Sequence, residues 1–353
     1  MIQVLVEERY RDNIRFKEAF EGFKNAVFAR KESYVLLKDR NKFDESERVL
    51  VVFGTSLNWI EEVLSFCSKR NIHPLLFGLR PKFHLLPFSY LSKDYVTSFY
   101  LLTNQIISTS KTKQRIAFVG FNPSSPHDLF KRDGFLLATK ENNVDHVFFD
   151  NQGDSSKLIN ELISKEDDFD DIVFVNDDLL LLYISKSTKA PQKNMAGFGG
   201  SKMKEYLHIP YITGSIDYFE AGKVLANLYF FLAKQKEIYS VSVKMPLKLS
   251  CSISEETPTS YPNEEDIDFY HDKAIEEIDS LNEALLNMDE TDRNILVLLE
   301  NGAKYETIAD ACYVSLNTVK YRIKKIMRIT KQKNKADLLA IFKKYKLDFV
   351  QKD

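Results

Sequence analysis

Short apolar runs alternate with longer amphipathic stretches from the first residue onward, and this alternation restricts the fold more than any other feature of the 353 residues. Residues 1–6, 34–37, 48–53 and 72–77 are short runs of β-branched and large apolar side chains. The run RVLVVF at 48–53 shows no polar alternation, so both of its faces need cover. Between the runs, residues 13–30 carry Ile14, Phe16, Phe20, Phe23 and Val27 near helical spacing, and residues 59–69 carry Ile60, Val63, Leu64 and Cys67. Strand, helix and buried strand in this order predict a parallel sheet with helices on both faces.

The pattern runs twice. After a loop holding Pro81 and Pro87 and a helix expected over 95–108, strands are expected at 115–119, 145–149, 172–175 and 194–198. Helices over 128–142, 155–164, 179–185 and 217–234 separate and follow them. Two successive α/β halves predict two similar lobes with a cleft between them.

Residues 288–353 read differently. Leu316, Val319, Ile323 and Ile326 recur every three or four residues, whereas Asn317, Lys320, Tyr321, Lys324 and Arg328 fall on the opposite face of the same helix. Residues 315–335 hold eight Lys or Arg and no Asp or Glu. One face suits a core and the other suits water or a polyanion. Upstream, residues 289–300 predict a helix capped by Asp289, with Asp292 at its third position and Ile295, Leu296, Leu298 and Leu299 apolar. Gly302 suits its end. A short helix over 305–312, a turn through Tyr313 and Val314, Ser315 as N-cap of the basic helix and a last helix over 335–345 complete a helix-turn-helix pattern.

Charge supports the division. The whole chain has net charge −2, but residues 288–353 hold 14 Lys or Arg against 9 Asp or Glu, and the remainder holds 35 against 42. A basic end on an acidic body is what a DNA-binding appendage would give. Cys67, Cys251 and Cys312 lie far apart without metal-ligand spacing, which fits reduced thiols in a cytoplasm. No signal-peptide pattern opens the chain and no apolar run is long enough for a bilayer, so a cytoplasmic protein without a membrane anchor is expected, with no metal and no cofactor.

MDETDRNILVLLENGAKYETIADACYVSLNTVKYRIKKIMR resembles the LuxR-type helix-turn-helix at Met288, Asp292, Ile295, Leu296, Leu299, Gly302, Ile308, Ala309, Val314, Ser315, Thr318, Val319, Lys320 and Ile326. The resemblance implies that Lys320 and its neighbours enter the major groove. The DNA-facing candidates are Ser315, Asn317, Thr318, Lys320, Tyr321, Arg322, Lys324, Lys325 and Arg328. Lys304 stands where that family often has a Ser cap, and Ile329-Thr330 replaces a usual Lys-Leu.

A second resemblance covers residues 1–254. DYVTSFYLLTNQIISTSKTKQRIAFVG, KRDGFLLA, IVFVNDDLLL, the stretch from Met195 through PYITGSIDYFEAGKVLANLYFFL, and KMPLKLSCSIS follow in order the signature segments of the effector domain of the lac- and purine-repressor family. It implies an α/β, two-lobed type I periplasmic-binding-protein fold of doubly wound parallel sheets, with a small ligand in the cleft, followed here by the small all-α helix-turn-helix domain. Lobe 1 is expected over 1–113 and 217–240, and lobe 2 over 114–216 and 241–254. That family's regulators carry their helix-turn-helix before the effector domain; here the chain opens on the first strand, and the unit at 288–353 that resembles the LuxR type is expected to stand in for it.

The same resemblance marks ligand candidates. Asp177 matches a carboxylate that accepts from ligand hydroxyls or ring N–H groups, although it also suits a helix start. Lys131 takes a ligand-binding Arg position with Arg132 beside it; Lys lacks the bidentate fork, and either could be a surface charge. Glu8, Arg9 and Tyr10 follow the first strand, and Asn58 and Trp59 the third. Trp59 could stack on a sugar or base, or fill the core. Asn122 and Gln152 end two later strands. Gly199-Gly200 and Ile216 replace polar residues common in the family, so the pocket has diverged.

Residues 255–262 contain Pro258 and Pro262 and predict a disordered joint. Residues 264–288 carry nine acids and one Lys, with Ile275, Ile278, Leu281, Leu285 and Met288 on one stripe. That stripe either packs on its own chain or forms a homodimer seam; the seam is expected, because helix-turn-helix proteins read paired half-sites. These features predict a one-component transcription regulator that binds a double-stranded DNA operator and senses a sugar-like or nucleobase-like effector. The competing classes are a solute receptor, a response regulator, a regulator whose sensor has lost its ligand, and an enzyme. A receiver's acidic triad is not found. GxSxG, HExxH and P-loop patterns are missing and the six His are scattered, so no enzyme is expected.

Overall fold

The structure, a computed structural model, describes residues 1–11, 13–44, 46–78, 87–110, 115–235, 237, 240–251 and 273–349. Pro81 and the joint expected at 255–262 lie outside the described residues.

In chain order the elements are β1 (Ile2–Val6), α1 (Ile14–Ala29), β2 (Tyr34–Leu37), β3 (Val49–Gly54), α2 (Leu57–Arg70), β4 (His73–Gly78), β5 (Ser89–Lys93) and α3 (Tyr95–Thr109). There follow β6 (Arg115–Phe121), α4 (Pro126–Glu141), β7 (Asp145–Asp150), α5 (Ser155–Ser164), β8 (Asp171–Phe174), α6 (Asp177–Lys186), β9 (Asn194–Phe198) and β10 (Ile212–Ser215). Next come α7 (Tyr218–Ala233), β11 (Ser242–Met245) and β12 (Lys248–Cys251). Five helices end the chain: α8 (Lys273–Leu286), α9 (Glu290–Glu300), α10 (Tyr305–Ala311), α11 (Leu316–Ile329) and α12 (Lys335–Lys344).

Two compact units result, Met1–Asp94 with Ile216–Lys248 and Tyr95–Ser215 with Leu249–Asp353. The sheet of the first runs β2-β1-β3-β4-β5-β11 and that of the second β7-β6-β8-β9-β10-β12. In both, the leading strand lies between the second and third, the doubly wound order whose direction reverses beside the leading strand. Every pairing in the first sheet is parallel, as are β7-β6-β8-β9-β10 in the second. The two-lobed parallel architecture read from the alternation is therefore present.

The boundaries differ from those expected. Helix α3 packs on α4, β9 and β10, so it belongs to the second unit. The closing stretch makes two strands: β11 pairs with β5 in the first sheet, and β12 lies beside β10 in the second. Strands β5 and β10 were not expected. SYLSK carries two Ser and a Lys and ITGS only one large apolar residue, so neither shows a β-rich run.

Each core is aromatic. In the first unit Phe53 takes the rings of Phe16, Phe20 and Phe23 at 5.3, 6.0 and 6.2 Å. In the second, Phe118 meets Phe135 at 4.6 Å, Phe148 at 5.7 Å and Phe99 at 6.0 Å. Helices α1 and α7 cross so closely that a Cβ on Gly222 would lie 1.7 Å from the Ala19 carbonyl oxygen. Any larger residue would push them apart.

The terminal helices are built into the second unit. Ile275, Ile278, Leu281 and Leu285 of α8 are at most 3% exposed, against α5, α6, the short turn Lys202–Tyr206 and α11. The dimer seam expected on this stripe is therefore corrected: the apolar face is already buried on its own chain. The end of the chain adds a second attachment. Leu347 bridges antiparallel to Leu207, the Asp348 N–H donates to the Tyr206 carbonyl at 3.0 Å, and Phe349 lies 5.3 Å from the Tyr206 ring.

Candidate functional site

Helix α11 starts at Ser315, whose hydroxyl accepts from the Thr318 N–H at 3.1 Å. Val319, Ile323 and Ile326 are buried, and the helix packs on α8, α9, α10 and α12. The opposite face carries Asn317, Lys320, Tyr321, Lys324 and Arg328, all exposed, as is the cap Ser315. The two faces are those expected from the spacing. Thr318 is half-buried, its hydroxyl 2.8 Å from that of Ser315.

Two of the basic candidates are engaged by their own chain. Arg322 donates to both carboxylate oxygens of Asp289 at 2.9 and 2.8 Å and to Asp292 Oδ1 at 2.8 Å. Asp289 and Asp292 form the capping box of α9, so Arg322 ties α11 to the start of α9. The Arg322 guanidinium holds the Asp289 carboxyl below its usual range. Lys325 donates to the Asn287 carbonyl at 3.2 Å. Both residues therefore brace the helix, which leaves Lys320, Lys324 and Arg328 as its outward charges. Sequence periodicity could place Arg322 off the apolar stripe but could not reveal the two carboxylates facing it.

The carboxyl ends of the strands form the second group of candidates. In the first unit the central residue is Glu7, which no sequence pattern singles out. It follows β1 and is 5% exposed. Its carboxylate accepts from the backbone N–H groups of Thr55 at 2.8 Å and Ser56 at 3.0 Å, from the Ser56 hydroxyl, and from Arg9 Nε at 2.6 Å. Glu7 thus joins the ends of β1 and β3, where the order in which the strands are added reverses. Glu8 is exposed with Arg11 3.5 Å away. Tyr10 is buried, 5.7 Å from the Phe16 ring, and burial pushes its hydroxyl pKa upward. Asn58 is exposed, whereas Trp59 packs against the core cluster of Leu5, Val52, Ile60 and Leu64. The ring is partly buried and lies against Gly54 at the end of β3, where a Cβ would meet its Cζ3 at 2.5 Å.

In the second unit Asn122 and Lys131 gather around Asp128. The Asn122 N–H donates to Asp128 Oδ2 at 3.1 Å, and Lys131 Nζ donates to Asp128 Oδ1 at 2.9 Å. Lys131 is 5% exposed and its Nζ stands 5.3 Å from the Tyr95 ring centre. Arg132 donates to Asp133 at 2.8 Å and lies over the Phe121 ring at 5.5 Å. Gln152 is exposed.

Asp177 is not open to solvent; it is fully buried. Its carboxylate accepts from the Ser201 N–H at 2.8 Å and lies 2.7 and 2.9 Å from the Thr213 hydroxyl. Burial nevertheless raises its pKa, outweighing those bonds. Asp177, expected to face a ligand, has these partners within its own unit, and Asn176 rather than Asp177 caps α6. The Gly199-Gly200 pair makes this possible: Gly200 has φ +70, and the loop turns the Ser201 N–H onto the carboxylate. Gly197 leaves room, since a Cβ there would sit 2.3 Å from Asp177 Oδ1. The Gly-Gly pair is legible in the sequence as a departure, whereas no sequence pattern points to Thr213 or Ser201.

Among the described residues no three His, Cys, Asp or Glu side chains are grouped to hold a metal ion, and no helix is long and apolar enough to cross a membrane.

No family model matches the chain, and no curated relative matches it. Solved structures do. A periplasmic ribose ABC transporter structure from Conexibacter woesei superposes with a TM-score of 0.60 at 12% identity, over 70% of this chain and 90% of its own. A regulatory protein of the LacI family from Chloroflexus aggregans gives 0.58 at 14% identity, over 70% and 96%. The transcriptional regulator CelR in complex with cellobiose gives 0.55 at 14% identity, over 70% and 82%. At these identities the likeness shows the fold: two α/β units of type I periplasmic-binding-protein architecture, to which this chain adds a small helical region.

Proposed function

We propose that the chain is a one-component transcription regulator that grips duplex DNA with the outward face of α11 and senses a small molecule with its α/β body. One observation carries the DNA-binding half: Lys320, Lys324 and Arg328 stand exposed on one side of a capped helix whose other side is buried. Phosphate neutralisation by such residues supplies most of the affinity for duplex. The order of α10, a tight turn and α11 supports the reading of a LuxR-type helix-turn-helix. In this reading two copies pair on adjacent half-sites in the cytoplasm, through a face other than the buried one of α8.

The sensing half rests on fold likeness. The solved relatives include a LacI-family regulator from Enterococcus faecium with bound ribose and the regulator Cra of Pseudomonas putida with fructose 1-phosphate, and a sugar-like or nucleobase-like effector is the corresponding proposal here. A ligand can shift the DNA-binding helices only by its preference for one arrangement of the body. A second reading has its own support. Glu7, Lys131 and Asp177 are each satisfied within their own unit, so a body that has given up small-molecule binding and works through protein contacts also fits.

Fluorescence anisotropy with a mixed-sequence duplex at low salt tests the first half. Binding that Lys320→Glu with Lys324→Glu abolishes, at unchanged thermal stability, is expected; equal binding by the variant refutes it. A thermal-shift screen of sugars, sugar phosphates and nucleobases decides between the two sensing readings, since a ligand at 100 times its dissociation constant adds about 2.7 kcal/mol.

A further inference from the structure

The outward face of α11 is not uniformly basic. Asn317 lies in its first turn and Tyr321 one turn later. Both are exposed, Tyr321 at 69%. The ring stands on the face opposite the buried Val319, Ile323 and Ile326. Asn317 is not needed as a cap, since Ser315 fills that role. Residues four apart share one stripe of a helix, about 6 Å apart along its axis. That is less than two base-pair steps of about 3.4 Å each. Lys320 and Lys324 flank the stripe, and Arg328 continues it.

The chemistry of the pair matches one kind of base pair. An Asn amide offers one acceptor and one donor group, complementary to adenine N6 and N7 in the major groove, and an apolar edge suits the 5-methyl group of thymine. A recognition helix presents its first turns to base edges, which leaves the later Lys324 and Arg328 to the phosphates. We infer that Asn317 and Tyr321 together read an A·T-containing step of the duplex. This rests on the DNA-binding reading above and adds what that reading lacks, the base composition of the target.

The test uses the full chain and duplexes selected from a randomised pool. Selected sites are expected to share neighbouring A·T pairs. In a selected duplex, exchanging thymines one at a time for uracil removes only the 5-methyl group. At one position the wild-type chain should lose about four-fold in affinity, the worth of burying one methyl-sized group. Tyr321→Ala should bind more weakly and treat thymine and uracil alike. Exchanging adenine for 7-deazaadenine should cost the wild type about five-fold or more at a neighbouring position and cost Asn317→Ala nothing. Unchanged thermal unfolding of both variants confirms that the helix is intact. A wild-type chain that binds duplex but is indifferent to every such exchange overturns the inference alone. A chain that binds no duplex at low salt overturns the DNA-binding reading and the inference with it.

Discussion

The Ser201 hydroxyl donates to Asn282 Oδ1 at 2.7 Å, with both side chains at most 2% exposed. Ser201 belongs to the loop that seats Asp177, and Asn282 to α8, which packs on α11. A buried polar chain therefore runs from a strand end of the second α/β unit to α8, the helix on which the basic α11 packs. Removing one partner leaves the other unsatisfied, which costs about 1–3 kcal/mol, whereas replacing both by apolar groups can be nearly neutral. Ser201→Ala, which also gives up the bond from the Met203 N–H to the same hydroxyl at 3.2 Å, is expected to destabilise by about that amount, and Ser201→Ala with Asn282→Leu to recover part of the loss. Urea denaturation measures both. Equal losses in the single and double variants would show that the bond does not couple the two segments.

Gly197→Ala tests the seat of Asp177 from below. A Cβ 2.3 Å from the carboxylate oxygen forces the loop or the carboxylate to move, and overpacking of this kind costs about 1–3 kcal/mol. A lowered urea midpoint is expected, with faster hydrogen exchange at the Ser201 amide. An unchanged exchange rate would mean that the carboxylate is held elsewhere.

Arg322 and Lys320 lie two positions apart on α11, yet opposite outcomes are expected for them. Arg322→Ala removes a guanidinium shared by Asp289 and the buried Asp292, so it should cost about 1–3 kcal/mol of stability while leaving the salt dependence of DNA binding unchanged. Lys320→Ala should leave stability within about 0.5 kcal/mol and weaken binding on every duplex. Thermal unfolding and anisotropy titrations on the two variants separate the roles.

His73 gives the first unit an acid-sensitive point. Its Nε2 lies 2.9 Å from the Ser89 hydroxyl between β4 and β5, and burial lowers its pKa to about 4. The unfolded chain, with an ordinary His pKa near 6.5, takes up the proton first. Stability from the neutral ring is thus fully present above about pH 6.5 and lost as the pH falls towards 4, by about 3 kcal/mol at most. His73→Gln should flatten the slope of stability against pH in that window. A slope identical to wild type would place the acid sensitivity in another group.

The parts of the fold visible in the sequence were those that carry their own periodicity. VLVVFG at β3 and the apolar stripe of α11 announce themselves, because burial on two faces and on one face leave different spacings. Strand β5, with Ser89, Ser92 and Lys93, has no such pattern and depends on β4 and β11 for its place. The stripe of α8 was visible, but its partner was not: periodicity says that Leu281 and Leu285 are covered, not by what. The strand-end residues were legible only as types. That Asp177 spends its hydrogen bonds on Ser201 and Thr213, and Lys131 its charge on Asp128, depends on loop geometry that no spacing encodes.

The most direct test of the central claim is the slope of log affinity against log salt concentration for the full chain on a mixed-sequence duplex. Each phosphate contact contributes about 0.9 to that slope. The Lys320→Ala, Lys324→Ala double variant should show a slope shallower by roughly 2 than that of the wild type, with the same thermal midpoint. An identical slope for the two proteins would mean that the outward face of α11 does not hold DNA.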